Sequence, residues 1–466
     1  MVFTSHIFVF YFLPMVLGAY YLLPRGRNAL LLAASYVFYA WWDPAFVLLM
    51  FAATVINYLG AKVMAAPEAS SARRRAAVTV SVAASLGLLG FFKYFVFVQE
   101  NLNGMLAALG APTFGVWRIV LPVGISFYTF QSLSYTVDVY RRVCPPVRSF
   151  VDFACFVSLF PQLIAGPILR YNAIAPQLHE RTHTLEKFAA GTGLFILGFA
   201  RKILLANPMG QIADAAFAAD HLLPLDAWFG VIAYAFQIYF DFAAYSDMAV
   251  GLGRMLGFEF DKNFDAPYRA ESITDFWRRW HISLSSFLRD YLYIPLGGNR
   301  RGRRRTYVNL AVVMLLGGLW HGANWTFVLW GAWHGGLLII ERAGNKQSLY
   351  RRLPHAVRVG VTFVLVLFGW VLFRSETVGE AAHYLTTMFG RAETGPGTML
   401  VSARLYTPAN VSMMMLCAIL AFGPLQAFEY VRRVTWPRIA LLIVLFAVSL
   451  MVMSAQAFNP FLYFQF

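Results

Sequence analysis

Along this chain, runs of apolar residues recur at near-regular intervals, separated by short polar connections. They cover 5–23, 28–42, 44–64, 77–97, 118–138, 187–206, 226–256, 357–373, 409–427 and 437–456, with a further pair within 306–341. A helix needs about 20 apolar residues to cross a bilayer core, so the pattern predicts roughly 11 to 13 crossings. No internal repeat, low-complexity linker or soluble domain interrupts it. The expectation is an all-α polytopic membrane protein whose residues 1–466 form one transmembrane domain. The first run, MVFTSHIFVFYFLPMVLGAYYLLP, lacks a basic start and a small-residue cleavage site, and reads as the first span and not as a removed signal.

Two segments break the pattern. Residues 151–168, VDFACFVSLFPQLIAGPI, lie between basic loops and contain Pro161, Gly166 and Pro167. A segment that leaves and returns to one side is re-entrant, and such backbone is tolerated only where protein or a cavity covers it. Residues 270–296, AESITDFWRRWHISLSSFLRDYLYIPL, are too charged to face lipid and too aromatic for a free loop. They predict an amphipathic, half-inserted helix, capped at its start by Ser272 with Asp275 three residues on.

The stretch Gly317–Gly336, GGLWHGANWTFVLWGAWHGG, places two histidines among tryptophans and glycines. A helix over 306–320, following the arginine cluster RRGRRR, rises only about 22 Å, less than the core of about 30 Å. Gly317 and Gly318 weaken that helix and HGAN ends it. His321 is therefore expected at membrane depth, at the tip of a short helix.

Composition agrees with the pattern. The 466 residues are 59% hydrophobic and 13% charged, against about 25% charged in soluble domains. Aromatics reach 17%, a share suited to interfaces and cavity linings. The formal net charge of +15 sits in the connections, which points to topology and anionic membrane lipid, not to nucleic acid. A phosphate-bearing cytoplasmic substrate is a compatible second use. Arg25, Arg27, Lys62, Arg73, Arg74, Arg75, Arg141, Arg142 and Arg148 fill alternate connections, while 99–117 contains no Lys or Arg, which places the N-terminus outside. Cys144, Cys155 and Cys417 are too few for a disulfide framework, and none suggests a metal cluster or a nucleophile.

An ionisable group at membrane depth marks a functional path by default. Neutral imidazole is the form a general base needs, and His321 is the sharpest candidate. Its bland alternative is a histidine satisfied by a backbone carbonyl. His334 follows 13 residues later, about 220° around a continuous helix; the two do not make a metal pair, no HExxH pattern exists, and His334 reads as structural. His281, in RRWHISLS, can share a cavity with His321 or sit at a headgroup boundary. Asp241 and Asp247, in YFDFAAYSDMAVGLG, can hold a histidine tautomer, pair with the arginines of 278–289, or form a cation site. The last option keeps a non-catalytic transporter in view.

RRWHISLSSFLRDYLYIPLGG and GGLWHGANWTFVLWGAWHG resemble the two histidine motifs of the membrane-bound O-acyltransferases. YFDFAAYSDMAVGLG, FPQLIAGPILR, LPVGISFYTFQSLSYTVDVYR, VFYAWWDP and SAQAFNPFLYFQF also resemble that family, in its bacterial, alginate O-acetyltransferase branch. The resemblance covers essentially the whole chain. It implies a helical bundle around a central tunnel in which a cytoplasmic acyl thioester meets a hydroxyl acceptor from the other side. It places the catalytic histidines on His321 and His281. It implies acetyl-CoA as donor substrate, with no permanently bound cofactor and no metal. Acetyl groups would pass outward across a bacterial inner membrane, through periplasmic acetyltransferase or carrier proteins, to an exopolysaccharide. Trp320 and Asn324 can hold an oxyanion or position the donor. Ser283 and Ser285 are candidate lining groups, Arg278 and Arg279 candidate phosphate partners, and Asp247 a positioning group. Transfer of D-alanyl to teichoic acid, or of acetyl to peptidoglycan or cellulose, is the alternative within the family.

Overall fold

The computed structural model describes residues 1–344, 352–391, 395–433, 435–456 and 462. Every regular element among them is helical. The chain divides into two compact units, Met1–Thr192 with Ala249–Phe260, and Gly193–Met248 with Asp261–Phe466.

The first unit contains α1 (Leu13–Leu22, after a π-helical turn at Phe8–Phe12), α2 (Arg27–Ala40), α3 (Pro44–Ala65), α4 (Ser71–Ala108), α5 (Ile125–Tyr140), α6 (Phe150–Ser158) and α7 (Tyr171–His179). Its basic connections gather at one end. Asn28 bonds Asp152 and the Leu178 carbonyl, Tyr58 bonds the Arg148 carbonyl, and Arg74 bonds the Tyr140 carbonyl. The 151–168 segment is a nine-residue helix, α6, followed by irregular buried backbone. That backbone finds partners inside the protein: Phe160 N–H donates to Ser35 and the Gln162 amide donates to the Phe156 carbonyl. Gly124, at φ 75°, lets α5 start against this segment, because a Cβ there would lie 2.8 Å from the Leu163 carbonyl oxygen.

From α8 (Leu185–Ala200) onward the chain reaches the second unit. It continues through a π-helical turn (Arg201–Ala206), α9 (Asn207–Phe217), α10 (Pro224–Met255), α11 (Ile273–Arg279), α12 (Ile282–Leu288), α13 (Gly302–His321), α14 (Trp325–Ala343) and α15 (His355–Arg374). Then come α16 (Val378–Met388), α17 (Thr398–Leu405), α18 (Pro408–Phe422), α19 (Ala427–Tyr430) and α20 (Trp436–Ala455). Of SAQAFNPFLYFQF, residues 457–461 and 463–466 lie outside the described residues.

Among the described residues, six helices are long and apolar enough to cross a membrane, or seven if the α17–α18 pair, bent by 58°, is one span. The other predicted crossings fold as helices that are shorter, such as the 14-residue α2, or that begin in charge, such as α13.

Two expectations need correction. Residues 270–296 are not one helix but three pieces, α11, α12 and a π-helical turn at Arg289–Tyr293. The break falls at His281, which adopts a left-handed conformation (φ 44°). A neighbouring loop takes the backbone groups that a continuous helix would have used: Asp265 N–H donates to the Arg279 carbonyl and Ile282 N–H to the Asn263 carbonyl. Ser272 does cap α11, accepting from Asp275 N–H at 3.1 Å. The histidine-tipped helix is also longer than 306–320. It starts at Gly302, within the arginine cluster, and has 20 residues ending at His321. From Thr306 it rises about 24 Å.

Candidate active site

Helices α13 and α14 pack face to face on glycine. A Cβ at Gly318 would collide with the Phe327 carbonyl, and one at Gly331 with the Met314 carbonyl. Between them the chain turns at 322–324, where Asn324 caps α14 by accepting from Thr326 N–H at 3.0 Å. This close pairing fixes the end of α13, and with it His321.

His321 is 4% exposed. Its ring stands edge-on to Trp320, Trp330 and Phe373, at centroid distances of 5.0, 5.1 and 5.2 Å. Phe373 is the penultimate residue of α15, so the histidine lies toward the far end of that helix from His355.

A cavity of about 540 Å³ leads to this ring. Its lining includes Trp330, Gly317 and Met314, leucines of α12 and α13, and Arg278, Arg289 and Arg342. Arg289 pairs with its neighbour Asp290 at 2.6 Å. Among the described residues, Arg278 and Arg342 have no ion-pair partner. The cavity thus has a largely apolar wall that also carries one imidazole and guanidinium charge.

The helix that carries Arg278 is held in place by Glu341, a buried carboxylate on α14. Glu341 accepts from Ile273 N–H at 2.7 Å, Thr274 N–H at 2.9 Å and the Thr274 hydroxyl at 2.6 Å. These are N–H groups that the first turn of α11 leaves without intrahelical partners.

Of the residues singled out in the sequence, this cavity brings together His321, Arg278 and Ser285. Others lie outside its lining. His281 is fully buried, with the Trp320 indole between it and His321 at centroid distances of 5.9 and 5.0 Å. The two histidines therefore do not face each other across one cavity. His281 Nδ1 accepts from Leu284 N–H at 3.2 Å, which makes the ring a helix cap and puts the neutral proton on Nε2. Burial pushes this imidazole down to about 3. Ser283 bonds Asn263 at 3.0 Å and Arg279 pairs with Asp275 at 2.9 Å. Asn324, besides capping α14, donates to the Glu376 carbonyl at 2.7 Å. His334 is boxed by Phe276, Trp277 and Trp330.

Asp247 and Asp241 do not pair with the arginines of 278–289. Asp247 meets Arg201 at 2.6 Å and Asp241 meets Lys202 at 2.8 Å. Both cations come from the π-helical turn between α8 and α9. Asp241 also accepts from Leu462 N–H at 3.0 Å. Charge neutralisation within the span leaves these carboxylates poorly suited to a transported cation.

Glu341, Arg342 and Tyr293, which build or line the site, were not singled out in the sequence. A carboxylate closing the apolar run GGLLIIER was the one available signal for Glu341.

Residues 145–375, which hold this cavity, match the membrane-bound O-acyltransferase family. Over its full length the chain is 46% identical to the protein named "Probable alginate O-acetylase AlgI" of Pseudomonas putida, covering all of both chains. It is 32% identical to a peptidoglycan O-acetyltransferase of Helicobacter pylori, covering all of this chain and 98% of the other. It is 27% identical to a teichoic acid D-alanyltransferase of Streptococcus thermophilus over 54% of this chain and 68% of the other. The chain belongs to the membrane-bound O-acyltransferase family and is a multi-pass membrane O-acyltransferase.

Proposed function

We propose that the protein takes an acetyl group from cytoplasmic acetyl-CoA and passes it across the bacterial inner membrane for O-acetylation of an exopolysaccharide, alginate, with periplasmic acetyltransferase or carrier proteins as partners. The observation that carries this reading is the cavity joining His321 to Arg278 and Arg342. Coenzyme A is a slender arm ending in phosphates. Unpaired guanidinium groups suit the phosphates, and the walls of Ile282, Leu284, Leu288 and Val313 suit the arm. The thioester carbonyl would then reach the imidazole.

In this reading neutral His321 accepts the proton of the acceptor hydroxyl as its oxygen attacks the carbonyl carbon. The carbon–sulfur bond breaks, and the imidazolium returns the proton to the departing thiolate. The products are the O-acetyl ester and coenzyme A thiol.

The basic loops gathered at one end of the first unit support a cytoplasmic placement of that end and a periplasmic N-terminus. Identity higher to an alginate O-acetylase than to a peptidoglycan O-acetyltransferase or a teichoic acid D-alanyltransferase supports alginate as the destination.

Membrane vesicles of known orientation, supplied externally with acetyl-labelled acetyl-CoA and loaded with the periplasmic partners and polymer, test the reading. Label on lumenal polymer in inverted vesicles alone is the expected result. Equal labelling in right-side-out vesicles, or none in either, would overturn it.

A further inference from the structure

The basic end of the first unit holds a second arrangement, built around the ring of Tyr20. Tyr20 is fully buried at the end of α1. Its hydroxyl donates to the Leu256 carbonyl at 2.7 Å. His183 Nε2 lies 2.9 Å from the same oxygen, so the imidazole must donate there, since the tyrosine proton is already used.

Two guanidinium groups flank this one ring. The Arg27 centre is 5.0 Å from the Tyr20 centroid and the Arg181 centre 5.7 Å, with Arg181 also 4.6 Å from Phe258. Arg27 directs its Nε to the Tyr20 and Leu23 carbonyls at 3.2 Å, which leaves its two terminal amino groups to other uses. Arg181 donates one terminal amino group to Asn28 Oδ1 at 2.7 Å, while the other, Nη1, is buried without a partner. Lys187 stands nearby, paired with Glu259 at 3.2 Å. The carboxylate acting on Arg181 is that of Asp152, and it is held by the Asn28 amide at 2.6 Å instead. Among the described residues, neither Arg27 nor Arg181 has an ion-pair partner.

Two like charges held over one ring repel each other, and a buried guanidinium N–H without an acceptor is costly. Asp152, held by Asn28, and the rings of Tyr20 and Phe258 offset the repulsion only in part, and among the described residues nothing accepts from Arg181 Nη1. A tetrahedral dianion or phosphodiester between the two forks would do both, by accepting several charge-assisted hydrogen bonds. We infer that Arg27, Arg181 and the Tyr20–His183 pair form a phosphate-binding site at the basic end of the first unit. The phosphate belongs to an anionic phospholipid headgroup or to a soluble phosphate; the chemistry of the site is common to both. None of these residues lines the cavity at His321, so the site stands independently of the proposed donor.

The test uses the full-length protein purified in a neutral detergent. Binding is measured by native mass spectrometry and by thermal melting with phosphatidylglycerol, phosphatidylcholine and inorganic phosphate, each against chloride of equal ionic strength. The wild type is expected to bind phosphatidylglycerol or phosphate in preference to phosphatidylcholine. Arg27→Gln with Arg181→Gln should weaken that binding by about tenfold or more. Arg25→Gln, which removes an exposed charge from the same connection, should not. A response to phosphatidylglycerol alone identifies the lipid, and a response to inorganic phosphate identifies the soluble source. If the double variant does not fold, Arg181→Lys, which keeps the charge and loses the fork, should show the loss. Equal response to all three additives in the wild type, or equal weakening by Arg25→Gln, would overturn the inference.

Discussion

The carboxylate of Glu341 accepts both the backbone N–H of Thr274, at 2.9 Å, and its hydroxyl, at 2.6 Å. Through this one residue pair α14, which lines the cavity with Trp330, sets the position of α11, which brings Arg278 to the cavity wall. Replacing Glu341 with Ala leaves the buried Ile273 N–H without its acceptor, at a cost of about 1–3 kcal/mol, and the half-buried Thr274 N–H as well. The expected result is a raised KM for the acyl donor with lower thermal stability, and partial rescue by Glu341→Asp. Unchanged kinetics in Glu341→Ala would contradict the coupling.

Arg278 and Arg342 line the cavity and, among the described residues, have no ion-pair partner. Replacing either with Ala should raise the KM for acetyl-CoA by about tenfold, the loss of one charge-assisted contact, with kcat little changed. Salt should weaken donor binding in the wild type more than in the variants. Steady-state kinetics at two ionic strengths checks this. A fall in kcat at unchanged KM would place the arginines in another role.

His281 carries a pH dependence whose sign is fixed by its burial. The folded imidazole is pushed down to about 3 from 6.5, so between these values the unfolded chain binds a proton that the folded one does not. Stability is full above about 6.5 and declines as pH falls toward 3, with a slope of up to about 1.4 kcal/mol per pH unit. His281→Asn tolerates the left-handed backbone and keeps a capping oxygen, but cannot titrate. Melting curves between pH 4 and 7 should be flatter for this variant. Identical slopes would show that His281 is not the titrating group.

The Arg201–Asp247 pair, 2.6 Å apart within the spans, supports structure and not proton transfer. Asp247→Asn leaves a mostly buried guanidinium uncompensated and should destabilise the protein by about 3–5 kcal/mol. The pH–rate profile of the surviving activity should keep its shape at a lower plateau. A shifted acidic limb would instead make Asp247 a base.

Much of this was legible in the chain. The tip position of His321 followed from glycines and HGAN ending an apolar helix, because those residues act locally. The irregular backbone after α6 followed from Pro161, Gly166 and Pro167. The break at His281 was not legible: RRWHISLS contains no Gly or Pro, and the break is made by a loop, Asn263–Asp265, whose bonds are tertiary. The partner of Asp247 was likewise hidden, being 46 residues upstream on another helix. The dipeptide Arg201-Lys202 within the apolar run 187–206 was its one trace.

The central claim is that His321 is the base in the wall of the donor cavity. It is tested most directly by measuring acetyl-CoA thioester cleavage by the purified protein in nanodiscs, wild type against His321→Ala, with a periplasmic acceptor protein present. The account expects cleavage to fall about 100-fold or more in the variant while melting temperature and donor binding persist. Cleavage by His321→Ala at the wild-type rate would contradict it.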